Sequence, residues 1–294
     1  MFLTEICQPR DNNEIAIIKE FSRIGRRNTI LFFVLVHFNG CVSYSIPLAS
    51  KNVTTLPLPA WFPYSLQDSS LVFIFSYVYQ TIGIIMTITI SVGMDSLALT
   101  TILQICGQIE IIMHRFNLLS EVSHENNDNI KISDGSYNDK ETELTKHCIK
   151  HLLFIYSLAK NLNKQFGLVI FLQFFASMFN LCAIIFNLSK VSLGSQVGCI
   201  MIFAVATYVL QIYFYCFYGD QITEKSLEIA QTIYFLNWEA LKIKTKKTLI
   251  IIMIRSSRPI QLTGASIVTM SIDTFMKVVK STYSAYNLLK NTSQ

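Results

Sequence analysis

The stretch FGLVIFLQFFASMFNLCAIIFNL, residues 166–188, decides the fold class because it has no charged side chain over a length that crosses a lipid bilayer. In an α-helix that rises 1.5 Å per residue, about 20 apolar residues cross the roughly 30 Å of hydrocarbon. Comparable runs cover residues 28–49, 71–98 and 197–218, and a fifth, amphipathic run covers 261–289. The sequence therefore predicts an all-α, polytopic membrane helix bundle with five spans.

The composition favours the same class. The chain has 294 residues, of which 51% are hydrophobic and 15% charged, whereas a soluble domain carries about 25% charged residues. Few glycines and prolines (11 and 6) and many Phe and Tyr residues (21 and 13) favour long helices over the strands of a barrel. The basic residues form no patch interleaved with aromatic ones, so no nucleic-acid partner is expected. No catalytic or phosphate-binding motif is present, so we expect neither an enzyme nor a cofactor.

The Lys and Arg residues lie mainly in alternate segments between the spans. The segments before span one, between spans two and three and between spans four and five contain 19 of them, and the rest of the chain contains 5. Cytoplasmic segments carry this excess, which predicts a cytosolic N-terminus and an extracellular C-terminus. The Asn-x-Ser/Thr sequons at Asn52, Asn187 and Asn291 fall on the predicted outer side or at its edge, and Asn52 is the candidate for glycosylation.

Two predicted cytosolic segments are long enough to form helices outside the membrane. Apolar residues recur at helical spacing in residues 101–121 and 144–165. We expect one transmembrane domain, residues 1–294, in which residues 99–165 and 219–258 form cytosolic helical anchor segments. A packed bundle of projecting helices and a single solvated hairpin both show this periodicity, so both interpretations remain open.

The last predicted span is polar along one side. Within SIDTFMKVVKSTYSAYNLLKN, residues 271–291, polar residues recur every three or four positions. They are Asp273, Lys277, Lys280, Ser284, Asn287 and Asn291. This spacing forms one stripe on an α-helix. Polar groups at membrane depth normally face water or a protein interior, which indicates a pore lined by one such helix from each of several subunits. An interfacial amphipathic helix and a transporter cavity remain alternatives.

Two segments of the last third of the chain contain an ordered set of residues. The segments are CFYGDQITEKSLEIAQTIYFLNWEAL, residues 216–241, and RSSRPIQLTGASIVTMSIDTFMKVVKSTYSAYNLL, residues 255–289. The set includes Gly219, Ser226, Tyr234, Trp238, Pro259, Gly264, Phe275, Tyr283 and Ser284. In its order and spacing, this set resembles the terminal signature of the insect odorant receptors, a seven-helix olfactory family. Gustatory receptors are the nearest alternative, but their signature ends in Gln-Phe where Thr282-Tyr283 here continues as SAYNLLKN.

The resemblance implies a function and a location. Family members are odorant-gated, nonselective cation-channel subunits that form heterotetramers with a shared co-receptor in the plasma membrane of olfactory neurons. Their seventh helix is split into an anchor helix, here residues 245–256, and a pore helix, here residues 265–291. The narrow outer gate would lie near Leu288. The implied partners are therefore the co-receptor, a volatile small molecule and membrane lipid.

The chain departs from the family pattern in two ways. The resemblance implies two further helices before the first span, so we expect residues 1–294 to be N-terminally truncated, as an incomplete gene model, a fragment or a degenerate copy. The family's ligand pocket is built partly from its second helix, so the resemblance implies an incomplete odorant site in these residues. Lys277 and Lys280 place positive charge on the proposed pore face, which disfavours cations. Two interpretations remain open: the lysines face a subunit interface, or they extend toward water in a wide inner vestibule.

A volatile ligand requires an apolar cavity with one or two polar groups. Aromatic and methionine side chains in the outer halves of spans one, two and four are the candidates. They are Tyr44, Phe73, Phe75, Tyr77, Tyr79, Met201 and Phe203. Such aromatics also serve as packing or membrane-interface residues, so a purely structural role remains an alternative.

The cysteines and histidines predict no metal site. The seven cysteines contain no CxxC pair, so packed free thiols are expected, although a bridge between Cys182 and Cys199 remains open. His147 and His151 stand one helical turn apart around Cys148, and without a nearby carboxylate a solvated cytosolic helix is the favoured interpretation. Besides the odorant-gated channel subunit, two functions remain open: an assembly-only, non-binding or dominant-negative subunit, and a solute transporter.

Overall fold

The computed structural model describes most of the chain. The described ranges are residues 5–49, 56, 58, 60–63, 70–128, 136–192, 194–265 and 267–292, without the side chains of 43–49, 122–128, 136–139 and 289–292. Apart from one short 3-10 turn, Glu5–Cys7, these residues form six α-helices and two short strands. The helices are α1 Asn12–Ala49, α2 Ser70–Asp128, α3 Ser136–Leu188, α4 Gln196–Tyr234, α5 Ile243–Ser256 and α6 Ile272–Thr292. The strands are β1 Thr263–Gly264 and β2 Val268–Thr269.

The three long helices α2, α3 and α4 each join a predicted span to a predicted cytosolic segment. They are 59, 53 and 39 residues long and run through the expected boundaries without a break. Each contains a stretch long and apolar enough to cross a membrane, and within the described residues these three are the helices that meet this criterion. The spans predicted in α1 and α6 therefore stay predictions, as does the orientation of the termini.

The prediction of a continuous helix over residues 261–289 is wrong for the described residues before Ile272. The described residues among 261–270 form an extended antiparallel hairpin that pairs Thr263 with Thr269 and Gly264 with Val268. Ala265, at the start of the proposed pore helix, has a φ of 50°, a left-handed conformation that no α-helix contains. Pro259 also lacks the backbone N–H that would extend α5. The helix predicted to line the pore therefore begins at Ile272, and the helix predicted to be the anchor begins at Ile243 instead of Thr245.

The described chain forms two compact units. Unit 1 contains residues 1–25, 99–174 and 214–277, and unit 2 contains residues 26–98, 175–213 and 278–294. The large side chains that are fully buried all lie in unit 1, among them Ile105, Phe116 and Ile229. The apolar stripes outside the predicted spans are therefore packed together, which favours the bundle of projecting helices over a solvated hairpin.

Candidate functional site

Helix α6 has a buried side and a polar, exposed side. Val278 and Thr282 are 9% and 3% exposed and stand one turn apart. The predicted polar stripe lies on the opposite side: Asp273, Lys277, Lys280 and Ser284 are exposed and Asn287 is half-buried. Leu288 is 67% exposed, whereas the side chain of Asn291 is outside the described residues. The structure thus places the described part of the stripe away from the side that α6 buries within the chain.

A row of exposed apolar side chains flanks the polar stripe. Ile272, Met276, Val279 and Tyr283 are 41%, 47%, 38% and 66% exposed. Their spacing of four, three and four residues places them on one side of the helix. A polar face with an apolar flank is suited to a helix that borders water and also contacts lipid or another protein chain. We call these four residues the apolar flank of α6.

The first turn of α6 is fixed by a capping residue and a close backbone contact. The Ser271 hydroxyl accepts a hydrogen bond from the Thr274 N–H at 3.3 Å and lies 3.2 Å from the Thr274 hydroxyl, as expected for an N-cap serine. Just before it, Met270 packs on Gly219 of α4. A Cβ added at Gly219 would lie 2.3 Å from the Met270 Cβ and 2.6 Å from the Met270 carbonyl oxygen. Only glycine fits at position 219.

The hairpin before α6 is held against α3. The Ala265 N–H donates to the Gly167 carbonyl at 2.9 Å. The Asn163 side chain donates to the Gln261 carbonyl at 2.8 Å and accepts from the Thr263 N–H at 3.1 Å. Gly264 lies so close to α3 that an added Cβ would be 3.3 Å from the Phe171 backbone. These contacts satisfy the hairpin's polar backbone groups, so its irregular conformation is stable next to α3.

Other residues of the recognised signature tie α4 to the segment after α5. The Ser226 hydroxyl donates to the Thr223 carbonyl and accepts from the Ile260 N–H, both at 2.8 Å. Ile260, whose N–H is bound in this way, is the residue directly after Pro259. The indole N–H of Trp238 donates to the Tyr234 carbonyl at 3.1 Å, at the end of α4. The signature residues Gly219, Ser226, Trp238 and Gly264 thus have structural roles within unit 1.

Unit 1 also contains a buried charged network that sequence reasoning did not find. The Arg115 guanidinium donates to both Glu14 carboxylate oxygens at 2.7 and 2.8 Å and to the carbonyls of Ile6 and Gln8, each at 3.0 Å. Arg115 and Glu14 are 2% and 1% exposed. The Glu14 N–H donates to Asp11 at 2.7 Å, which caps α1. The spacing Asp-x-x-Glu was the available sequence signal for this cap. The network attaches the N-terminal segment to α2.

His151 extends this network, and the prediction of a solvated helix there is wrong. His151 and Cys148 are both 0% exposed, and the His151 ring lies 2.8 Å from the Gln108 amide oxygen and 3.3 Å from Arg115. Burial, together with the nearby Arg115 and Arg10 cations, lowers the pKa of His151 from 6.5 to about 3, so the imidazole is neutral. Within the described ranges no cluster of His, Cys, Asp or Glu is arranged to hold a metal, and Cys182 and Cys199 are not joined by a disulfide bond.

The predicted ligand contacts in α2 lie on two different sides of that helix. Tyr77 is 8% exposed, and Phe73 lies next to it with ring centroids 6.3 Å apart. Phe75 and Tyr79 are 72% and 68% exposed. The structure therefore brings Phe73 and Tyr77 together in unit 2 and leaves Phe75 and Tyr79 on the outer surface.

The remaining predicted contacts are more scattered. The ring of Phe203, on α4, contacts that of Phe38, on α1, edge to face at 5.7 Å, and Met201 is half-buried. The side chain of Tyr44 and the glycosylation candidate Asn52 lie outside the described residues. The predicted ligand contacts therefore stay predictions.

Unit 2 also contains a buried acid that sequence reasoning missed. Asp95 is 7% exposed and accepts a hydrogen bond from the Gln211 amide at 2.6 Å. It lies near the end of the second predicted span, residues 71–98, and the apolar residues around it gave no sign of a polar site. Buried acids in membrane helices are normally paired with polar groups, and this hydrogen bond links α2 to α4.

Comparison with known proteins identifies the family. The family model described as 7tm Odorant receptor matches residues 4–283. Odorant receptor Or1 of Anopheles gambiae is 22% identical over 281 residues, which cover 89% of this chain and 66% of that receptor. Odorant receptor 67c of Drosophila melanogaster is 25% identical over 236 residues, which cover 79% of this chain and 54% of that protein. The chain thus spans between about half and two thirds of the length of these relatives.

A solved structure shows the same fold. The insect olfactory receptor OR5 from Machilis hrabei, solved in complex with eugenol, superimposes with a TM-score of 0.80 at 15% identity. The superposition covers 99% of this chain and 72% of that receptor. The apolar lengths of α2, α3 and α4 agree with a multi-pass membrane protein. Since the family model spans nearly the whole chain, we conclude that this protein belongs to the insect odorant receptor family.

Proposed function

We propose that the chain is the odorant-binding subunit of a heteromeric, ligand-gated, nonselective cation channel that works with a co-receptor in the plasma membrane. The observation that carries this proposal is the exposed polar stripe of α6, which lies opposite the buried Val278 and Thr282. A helix that exposes charged residues at membrane depth requires water or protein against them. One such helix cannot enclose a pathway, so several subunits each supply one.

Exposed apolar surfaces support assembly with other subunits. Ile243, Ile250 and Ile254 of α5 are 73%, 48% and 68% exposed. At spacings of seven and four residues they form a row on the side of α5 opposite its buried residues Leu249 and Ile252. Isoleucine rows outside the membrane are normally covered by a partner. We assign the α5 row and the apolar flank of α6 to contacts with neighbouring subunits.

The pore would narrow toward the extracellular end of α6. Leu288 is the exposed apolar residue near that end, and a ring of such residues can gate by excluding water. Lys277 and Lys280 lie on the polar side of α6, nearer its N-terminal end, where the proposed inner vestibule is wide. There their ammonium groups remain hydrated, because a long side chain extends into the water.

A volatile ligand would bind on the inner side of α2 in unit 2. Tyr77 offers a buried aromatic ring with one polar atom, and Phe73 supplies an apolar wall beside it. A small apolar odorant requires this combination of apolar surface and a single orienting group. Odorant preference is therefore assigned to Phe73 and Tyr77 ahead of the outward-facing Phe75 and Tyr79.

The test is an electrophysiological measurement in cells that express this chain together with the co-receptor. We expect an odorant panel to evoke a cation current only when both proteins are present. Substitutions on the polar stripe, such as Ser284→Ala, should change ion permeability without changing the odorant concentration that gives half the response. A substitution on the ligand side, Tyr77→Phe, should change that concentration and leave permeability unaltered.

Each other function has its own result. A current that persists when this chain is omitted would refute its role as a required subunit. Co-purification with the co-receptor without any evoked current would indicate an assembly-only subunit. Solute uptake by this chain alone would indicate a transporter.

A further inference from the structure

Unit 1 contains a cavity between α3 and α5 that the proposed channel function does not use. Its volume is about 210 Å³, which is smaller than the roughly 300–1,000 Å³ of a pocket for a drug-sized ligand. It is lined by four threonines, two lysines and one isoleucine: Thr142, Thr145, Lys146, Ile149, Lys244, Thr245 and Thr248. Among the described residues, no acidic side chain lines it. We call it the α3–α5 cavity.

Thr245 presents a hydrogen-bond donor to this cavity. Thr245 is 4% exposed and lines the cavity, and its hydroxyl makes none of the hydrogen bonds found in the described residues. Two neighbouring hydroxyls are occupied as donors, because Thr145 donates to the Glu141 carbonyl at 2.7 Å and Thr248 to the Lys244 carbonyl at 3.1 Å. The hydroxyl is not among the buried side-chain atoms that lack a partner, so it borders the open space of the cavity and can donate there to a ligand or to water.

The charges around the cavity favour an anion. Lys146 and Lys244 line it from α3 and α5, and neither forms an ion pair within the described residues. The buried acid Glu141 directly precedes Thr142 in α3 and is already engaged, since its carboxylate accepts the Lys242 N–H at 3.2 Å and lies 3.6 Å from the Lys242 ammonium. Two ammonium groups, a donor hydroxyl and the positive N-terminal end of α5 together provide an anion-binding environment.

We infer that the α3–α5 cavity binds a soluble phosphorylated small molecule, whose phosphate is held by the Thr245 hydroxyl and by Lys146 and Lys244. A phosphate matches the three donors because it offers several strong acceptor oxygens and about two negative charges. The cavity volume allows a phosphate with a small organic group attached. Bound there, the ligand bridges α3 and α5 and stabilises their contact. This site is independent of the proposed channel function.

A soluble source fits better than a lipid headgroup. Thr142 and Ile149 precede Phe166, the start of the predicted third span, by 24 and 17 residues of the continuous helix α3. At 1.5 Å per residue the cavity lies about 25 to 35 Å along α3 from that point. A headgroup at the membrane surface does not extend over this distance, whereas a soluble molecule enters freely.

The experiment measures binding of phosphates to the full chain in detergent by isothermal titration calorimetry. The probes are inorganic phosphate and glucose 6-phosphate, with glucose as the uncharged control. The double variant Lys146→Gln/Lys244→Gln should bind glucose 6-phosphate at least about tenfold more weakly. The matched double variant Lys140→Gln/Lys247→Gln removes the same charge from the same two helices outside the cavity and should stay within about twofold. The isosteric Thr245→Val should weaken binding about threefold or more.

Three results would overturn the inference. Absence of binding by both phosphates would exclude the site, and equal losses in the two double variants would show diffuse attraction to a basic surface. The third arm repeats the titration in phosphatidylcholine bilayers with and without phosphatidylinositol bisphosphate. Unchanged binding supports the soluble source, whereas loss of glucose 6-phosphate binding in the presence of the lipid would assign the cavity to a headgroup.

Discussion

Replacing Gly219 by alanine tests whether the contact between α4 and the start of α6 holds the fold together. The new Cβ would lie 2.3 Å from the Met270 Cβ and 3.1 Å from the Met270 carbonyl carbon. Ordinary carbon contacts are roughly 3.5–4.0 Å, so Met270 has to move by about 1 Å. The backbone of Met270 is itself held by its N–H bond to the Leu262 carbonyl at 2.9 Å. Overpacking of this kind costs about 1–3 kcal/mol, and a constrained backbone contact places the cost near 3.

The assay is thermal unfolding of the purified chain in detergent, followed by size-exclusion chromatography. A loss of about 3 kcal/mol corresponds to a melting temperature lower by roughly 6 °C or more. The matched control is Gly83→Ala in α2, where an added Cβ meets nothing within 4 Å and helix propensity improves by about 1 kcal/mol. If Gly219→Ala melts at the same temperature as Gly83→Ala, the close contact has no energetic role and our account of the signature glycine is wrong.

Three further predictions concern charges. Glu14→Gln leaves its buried arginine partner without a counter-charge and should lower the free energy of unfolding by about 3 kcal/mol. The control Glu20→Gln, at an exposed position of the same helix, should change it by less than about 0.5 kcal/mol. Equal melting curves for the two variants would refute this prediction. Lys277→Gln and Lys280→Gln should each raise single-channel cation conductance about twofold, because a positive charge about 8 Å away in water costs a cation about 0.5 kcal/mol. Unchanged conductance would show that neither lysine faces the pore. The pKa of His151 falls from 6.5 to about 3 on folding, so the folded protein keeps the full stability contribution of the neutral imidazole above pH 6.5. Between pH 6.5 and about 3, the free energy of unfolding should fall by about 1.4 kcal/mol per pH unit. The variant His151→Gln should show a smaller dependence of the unfolding free energy on pH.

The helices and the family could be predicted because they depend on signals that are local in sequence. The apolar run at 166–188 and the polar stripe from Asp273 to Asn287 each report on one helix, and the structure contains both helices. The hairpin at 261–270 could not be predicted in the same way. Its residues Leu262, Ile267 and Val268 are apolar enough to continue a helix. What prevents a helix is the packing of Gly264 on Phe171 and of Gly219 on Met270, which are contacts between residues distant in sequence.

The buried network of unit 1 was missed for the same reason. Glu14 and Arg115 are 101 positions apart, and in sequence each looks like a solvent-exposed charge on an amphipathic helix. His151 likewise looked solvated, since its burial depends on α2 and the N-terminal segment. Composition identifies how many charges a chain has, but only tertiary packing decides which of them lose contact with water. The same limit applies to Asp95 within its apolar run.

The signature by which the sequence was recognised acts on the position of α6. Ser271 caps the helix, and the residue before it, Met270, is held on Gly219. With the cap at Ser271, Val278 and Thr282 are buried and the charged stripe from Asp273 to Asn287 faces outward. The signature residues Gly219, Ser226, Trp238 and Gly264 thus act through contacts inside unit 1, whereas Ser284 of the same signature lies on the proposed pore face. Odorant preference must then depend on residues outside the signature, where the inner side of α2 with Phe73 and Tyr77 is the place to test it.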